Sequence, residues 1–194
     1  MFDPQQSYTL DEYWKLAETF PDRKYEYIDG VIRMMTGGSP VHGQIAVNIS
    51  YLLVAVLRDS ECNVYNSDVA LQLLDTKCYY PDVSVSCDPR DWTRKKALEA
   101  PTVVLEVLSP TTERIDKVEK LQVYQYYPPI QEILFVDSRK CYVEHYHRIS
   151  SSRWTVSLYT DQHDVIDLES IEARFTLHDI YSKVYLELEE EPPS

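Results

Sequence analysis

The stretch that most limits what this chain can become is TVVLEVLS, residues 102–109, a strand-like apolar run with one carboxylate, Glu106, in its middle. Side chains alternate along a strand, so Glu106 shares a face with Val104 and Leu108 and stands opposite Leu105 and Val107. An ionised group on an otherwise apolar face is strongly unfavourable unless something compensates it. Either a cation meets Glu106, or the carboxylate faces water at a strand end.

The segments around it predict the frame. VYNSDVALQLLD from 64 and PDVSVSC from 81 read as two more strands, EILFVDS and KCYVEHYHR as a strand pair, and RWTVSLYT as a further strand. Thr9 with Glu12 three residues on forms a capping box for a first helix, which Pro21 ends. KYEYIDGVIRMM predicts a hairpin around Asp29-Gly30, two residues that tolerate positive φ. Residues 42–58 carry Ile45, Ile49, Leu52, Leu53 and Val56 at helical spacing. RDWTRKKALEA at 90–100 reads as a short helix or an ordered loop. A helix capped at Thr111 or Thr112 is expected to run to Tyr127, where Pro128-Pro129 stops it. A short helix capped near Thr176 leads into the acidic tail. The expected architecture is one α/β domain over residues 1–188, a mixed central sheet flanked by helices with an N-terminal helix and hairpin, and a tail at 189–194. A chain of 194 residues is long enough for one such core.

Charge bounds the partners. The net charge of -13 argues against a dedicated, non-specific nucleic-acid binder, whose affinity rests on a basic face, but leaves room for a cleft in which a metal supplies the positive charge. The four cysteines, at 62, 78, 87 and 141, lack Cys-x-x-Cys spacing, which argues against a thiolate zinc centre. With no signal pattern and no long apolar run, the expectation is a cytoplasmic protein with reduced cysteines and no membrane role.

Two acids stand out as chemistry. Asp82 opens the alternation in PDVSV, and Glu106 sits in the next strand-like run. Acids at matched heights on neighbouring strands, about 4.8 Å apart, can share one hard cation such as Mg²⁺. The alternative is structural: Asp82 capping a turn and Glu106 facing solvent. In ERIDKVEKLQVYQ, Asp116, Lys120 and Tyr124 recur every four residues on one helical face. That face is either a source of a catalytic ammonium or an exposed ion pair. His42 opens the long helix and is expected to be hydrogen-bonded or partly exposed rather than a general base. His145 and His147 share one strand face without an assigned third ligand. Asp68 and Gln72 lie in the strand before PDVSV, and Asp29 is explained by its turn. There is no Gly-rich phosphate loop, dinucleotide fingerprint or nucleophilic serine motif.

The ordered series YEYIDG, PDVSV, VLEVLSP, DKVEKLQVY and EILFVDS resembles the Uma2 family of the PD-(D/E)XK, restriction-endonuclease-like superfamily, over about residues 10–185. The resemblance implies that Asp82 is the aspartate of the PD element and Glu106 the acid of the following strand. In the parent pattern a lysine stands two residues beyond that acid, where this chain has Leu108. The resemblance therefore assigns the role to Lys120 on the next helix. It also makes Glu26 of YEYIDG a further acid at the site, and gives Val107 a role through its backbone carbonyl. A family glycine after the helix is replaced around Pro128-Pro129. The implied activity is Mg²⁺-dependent hydrolysis of phosphodiester bonds in DNA, with Mn²⁺ as a substitute, through catalytic Glu26, Asp82, Glu106 and Lys120. Metal contacts would come from Glu26, Asp82, Glu106 and Val107, and a homodimer would suit double-strand cutting. The competing expectations are a noncatalytic interaction protein on a nuclease scaffold, and a nuclease acting on RNA or small nucleotides.

Overall fold

A computed structural model describes residues 6–35, 37–110 and 113–186. The expected capping box is present: the Thr9 hydroxyl accepts from Glu12 N, the Glu12 carboxylate reaches back to Thr9 N, and α1 (Leu10–Thr19) follows. The hairpin of β1 (Tyr25–Ile28) and β2 (Val31–Met34) turns at Asp29 and Gly30, with φ of 48° and 87°. A Cβ on Gly30 would also stand 2.2 Å from Ser7 Oγ, so glycine is required there twice over. Ser39 caps α2 (Pro40–Val56), whose Ile45, Ile49 and Leu53 are fully buried.

The run at 64–75 is not one strand. It divides into β3 (Asn63–Asn66) and β4 (Ala70–Leu74), which belong to different sheets, and β4 folds back on β5 (Lys77–Tyr79). A six-stranded sheet, ordered β11-β10-β9-β8-β6-β3, contains β6 (Val83–Ser86), β8 (Val103–Leu108), β9 (Glu132–Asp137), β10 (Val143–Ser150) and β11 (Arg153–Tyr159). A five-stranded sheet is ordered β2-β1-β5-β4-β7, its last member being β7 (Ala97–Leu98), reached after a 3-10 turn at Asp91–Thr93. Both sheets are mixed, because β8 runs parallel to β9 and β4 parallel to β7. The parallel β8–β9 pair needs a crossover. It is supplied by a π-helical turn, Ile115–Lys120, running straight into α3 (Leu121–Tyr126). The proposed cap at Thr111 or Thr112 lies outside the described residues. A ribbon of β12 (Val165–Leu168) and β13 (Ala173–Thr176) then leads to α4 (Leu177–Ile180), capped by Thr176 as expected. The tail at 189–194 also lies outside the described residues.

Alternation along β8 divides the interior. Val103, Leu105 and Val107 face a core shared with α2, the β12–β13 ribbon and α4. Val104 and Leu108 face the other way, into a second core that joins Ile28, Leu71 and Tyr79 of the five-stranded sheet to Phe135 and to Tyr124 of the crossover. Glu106 lies on this second face, between the two sheets. A third cluster seats Tyr13 and Trp14 of α1 on Tyr25, Tyr27 and Cys78.

The expectation of reduced cysteines is corrected. Cys62 and Cys87 form a disulfide, because the Asn63↔Ser86 pairing of β3 with β6 brings the residues just beyond each strand end together. Cys78 and Cys141 are free thiols. No helix among the described residues is long and apolar enough to cross a membrane.

Candidate active site

Antiparallel pairing of β6 with β8 matches Val83 with Leu105, so Asp82, just before β6, stands level with Glu106. The Asp82 carboxylate extends the ladder by one side-chain rung: Oδ2 accepts the Val107 N–H at 2.7 Å. Its Oδ1 is held by His42 Nε2 at 2.9 Å, from the first turn of α2. His42 fits because residue 38 is glycine; a Cβ there would lie 2.7 Å from the imidazole. The hydrogen bond to Asp82 raises the His42 pKa against the opposing effect of burial. Of the readings open for His42, the structure shows a hydrogen bond, and its partner is Asp82.

Glu106 is buried and bound on one oxygen by two donors, Lys120 Nζ at 3.0 Å and the Tyr124 hydroxyl at 2.6 Å. The Lys120 ammonium also lies 3.1 Å from Glu26 Oε1 and 3.2 Å from Asp116 Oδ1. The spacing of Asp116, Lys120 and Tyr124 thus marks one buried face, and the exposed-pair alternative fails, since Asp116 and Lys120 are only 3% and 4% exposed. The π-helical turn helps to set this face: Leu121 N–H reaches Asp116 O, an i→i+5 bond. Three carboxylates around one ammonium leave an excess of negative charge. Burial, reinforced by Asp116 and Asp82 and opposed by Lys120, pushes the Glu106 carboxyl well above its usual range. Burial alone would discharge Lys120, but Glu106, Glu26 and Asp116 outweigh it and hold the ammonium charged.

Asp82, Glu106, Val107, Asp116 and Lys120 line one cavity of about 900 Å³, with His42 on the same wall. Arg23, Lys24, Asn66 and Ser67 form a further part of the lining. Glu26 is not on the cavity wall; it backs Lys120 from β1 in the five-stranded sheet. Asp68 pairs with Lys24 at the surface, Gln72 is absent from the lining, and Asp29 pairs with Lys77 beside its turn. Tyr124 and Asp116 are the contacts that the sequence signalled only as neighbours of Lys120.

The donor set around this cavity is carboxylate oxygen, with like charges acting on Glu106, which is the chemistry of a hard divalent cation. Among the described residues, however, no three metal-ligating side chains form a ready-made cluster. Lys120 occupies the space between the acids instead. Away from the cavity, His145 and His147 share a face of β10 as expected, their rings stacked 6.3 Å apart beside Glu132. Burial raises Glu132 to about 7 and lowers His145 to about 4.

Residues 10–178 match the sequence model of the Uma2 family, described as "Putative restriction endonuclease". Two uncharacterised proteins of Synechocystis sp. are similar. The protein slr1290 is 38% identical over 159 residues, covering 81% of this chain and 83% of its own length. The protein sll1609 is 32% identical over 153 residues, covering 77% and 85%. The fold is shared with a crystal structure from Anabaena variabilis described as "a putative nuclease belonging to DUF820", at a TM-score of 0.74 and 20% identity over 91% of this chain and 99% of that one. With the motif order, the paired mixed sheets and the family match in agreement, the chain belongs to the Uma2 family, within the PD-(D/E)XK nuclease superfamily.

Proposed function

We propose that this protein is a metal-dependent endonuclease hydrolysing phosphodiester bonds, with DNA as substrate. The observation that carries the reading is the meeting of Asp82, Glu106 and Lys120 on the wall of one cavity, from three separate elements. Asp82, Glu106 and the Val107 carbonyl are the groups to hold Mg²⁺ or Mn²⁺. Such an ion, when bound, polarises the phosphoryl oxygens and lowers the pKa of its water. Lys120, kept charged by its carboxylate neighbours, then has two tasks: orienting the attacking water and offsetting charge that develops on the phosphate. His42 and the Val107 N–H fix the rotamer of Asp82. Tyr124 and Glu26 position Glu106 and Lys120 respectively. A homodimer would supply two such centres to a duplex.

The test is cleavage of single- and double-stranded DNA, with RNA in parallel, by the native protein, Asp82→Asn and Glu106→Gln in Mg²⁺ or Mn²⁺. Cleavage by the native chain alone supports the assignment. Equal rates in all three proteins reject it, and preference for RNA would move the substrate. A second reading, a noncatalytic interaction protein on this scaffold, is favoured by one observation: the Lys120 ammonium already stands between Glu26, Glu106 and Asp116, where a cation would otherwise sit. Calorimetry with no divalent-cation binding that depends on Asp82 or Glu106 would select it.

A further inference from the structure

We propose that Glu132, His145 and His147 form a second cation site, remote from the nuclease cavity, that takes a zinc-class transition metal. The strands place it. His147 pairs with Glu132 across β10 and β9, and His145 pairs with Leu134 one step along, so all three side chains share a face. That face also bears Leu134, Val136 and Val143, which belong to the core under α2, the opposite side of the sheet from Glu106. Glu132 is also three residues nearer the start of β9 than Phe135, the partner of Glu106, so the two sites differ in both face and height.

One oxygen of Glu132 and one nitrogen of His145 lack hydrogen-bond partners. The Glu132 side chain is 0% exposed, and its Oε2 has no hydrogen bond. His145, 5% exposed, has an unpartnered Nε2 that lies 3.9 Å from that same oxygen. The turn at Ser170 closes over the carboxylate, with Ser170 N–H donating to Glu132 Oε1 at 3.2 Å. On the other side His147 Nε2 stands 4.0 Å from Oε1. A buried carboxylate flanked by two imidazole nitrogens, with no lysine or arginine in ion-pair range among the described residues, is a donor set for a borderline cation. Imidazole nitrogen suits zinc, cobalt or nickel, whereas Mg²⁺ prefers an all-oxygen site.

The site is not preassembled. The imidazoles are nearly parallel at 6.3 Å, wider than two ligands of one ion stand, and the three groups do not form a closed cluster. Alternate residues of one strand can nevertheless converge on a common point by side-chain rotation. His147, at 22% exposure, has solvent on one side and is the ligand free to turn inward. Closure would join β9 and β10 to the turn at Ser170 between β12 and β13.

The experiment is titration of the metal-free full chain with Co²⁺, followed by visible absorption and by competition with Zn²⁺. The native protein, Glu106→Gln, His147→Ala and Glu132→Gln are compared, with circular dichroism to establish folding. Expected is a saturable, intense d–d band of nitrogen-ligated Co²⁺ that Zn²⁺ displaces, distinct from the weak absorption of any Co²⁺ held by oxygen ligands at the nuclease cavity. It should be unchanged in Glu106→Gln and weakened about tenfold or more in His147→Ala, since loss of a ligand exceeds loss of a ligand's supporting contact. If Glu132→Gln does not fold, His147→Ala decides, because its side chain is partly exposed. The proposal is overturned by the lack of any saturable band, by unchanged affinity in His147→Ala, or by loss of the band in Glu106→Gln alone.

Discussion

Tyr124 and Lys120 converge on one oxygen of Glu106, and each could be placed by counting fours from Asp116. Counting could not show that this face is buried, nor that Glu26, 94 positions earlier than Lys120, backs the ammonium from another sheet. Those facts depend on tertiary contact. Replacing Tyr124 with Phe removes a donor from a buried acceptor while keeping the ring. The expected loss is ~1–3 kcal/mol in urea unfolding. Asp137, in the motif EILFVDS, is pinned by Arg139 through the guanidinium and through a backbone N–H at 2.8 Å. Burial opposes its charge, but the Arg139 contacts prevail and hold its pKa below the ordinary 3.8. A depressed carboxyl contributes stability that is present above the unfolded pKa and lost as pH falls through the folded one. The stability gap between native protein and Asp137→Asn should therefore be constant from neutral pH down to the ordinary carboxylate range, then close on further acidification. A gap that widens on acidification would contradict the assignment.

Elements with local signals were legible at once: the Thr9–Glu12 capping box, the Asp29-Gly30 turn and the Thr176 cap each act within a few residues. The division at 66–70 was not. Asn66 and Ala70 end and begin strands in different sheets, and the choice of sheet is made by distant partners, β6 for one and β5 with β7 for the other. The two-residue β7 is similarly too short to carry a period. The π-helical turn is equally silent in sequence, since the one-residue shift in phase that it introduces is too small to read from so short an apolar pattern. Deleting Val118, which is 58% exposed, should let the turn relax to α-helix. Helix content by circular dichroism is then expected to persist, while DNA cleavage falls about tenfold or more as Lys120 swings off Glu106. Full activity in the deletion would show that the turn's geometry is dispensable.

Across the whole molecule, the order of motifs identified the superfamily, whereas the arrangement of two sheets around the site emerges only on folding. The net charge of -13 is a global property with a global readout. A basic protein with six to ten phosphate contacts loses about 10³–10⁵ in affinity between roughly 50 and 200 mM salt. Here salt also screens repulsion between chain and substrate, so duplex affinity at fixed Mg²⁺ should fall by less than about tenfold over that range. A steep decline would reveal a concentrated basic surface at the cavity. The position of Lys120 has a practical consequence. Its ammonium touches an acid from each sheet, so it fastens the two halves of the body as well as standing at the proposed reaction centre. A silent protein made by changing Lys120 would be loosened along its main seam, and inactivity in it could be blamed on either cause. Asp82, at the margin of that seam with 17% of its side chain in solvent, is the cleaner place to test the proposed activity by substitution.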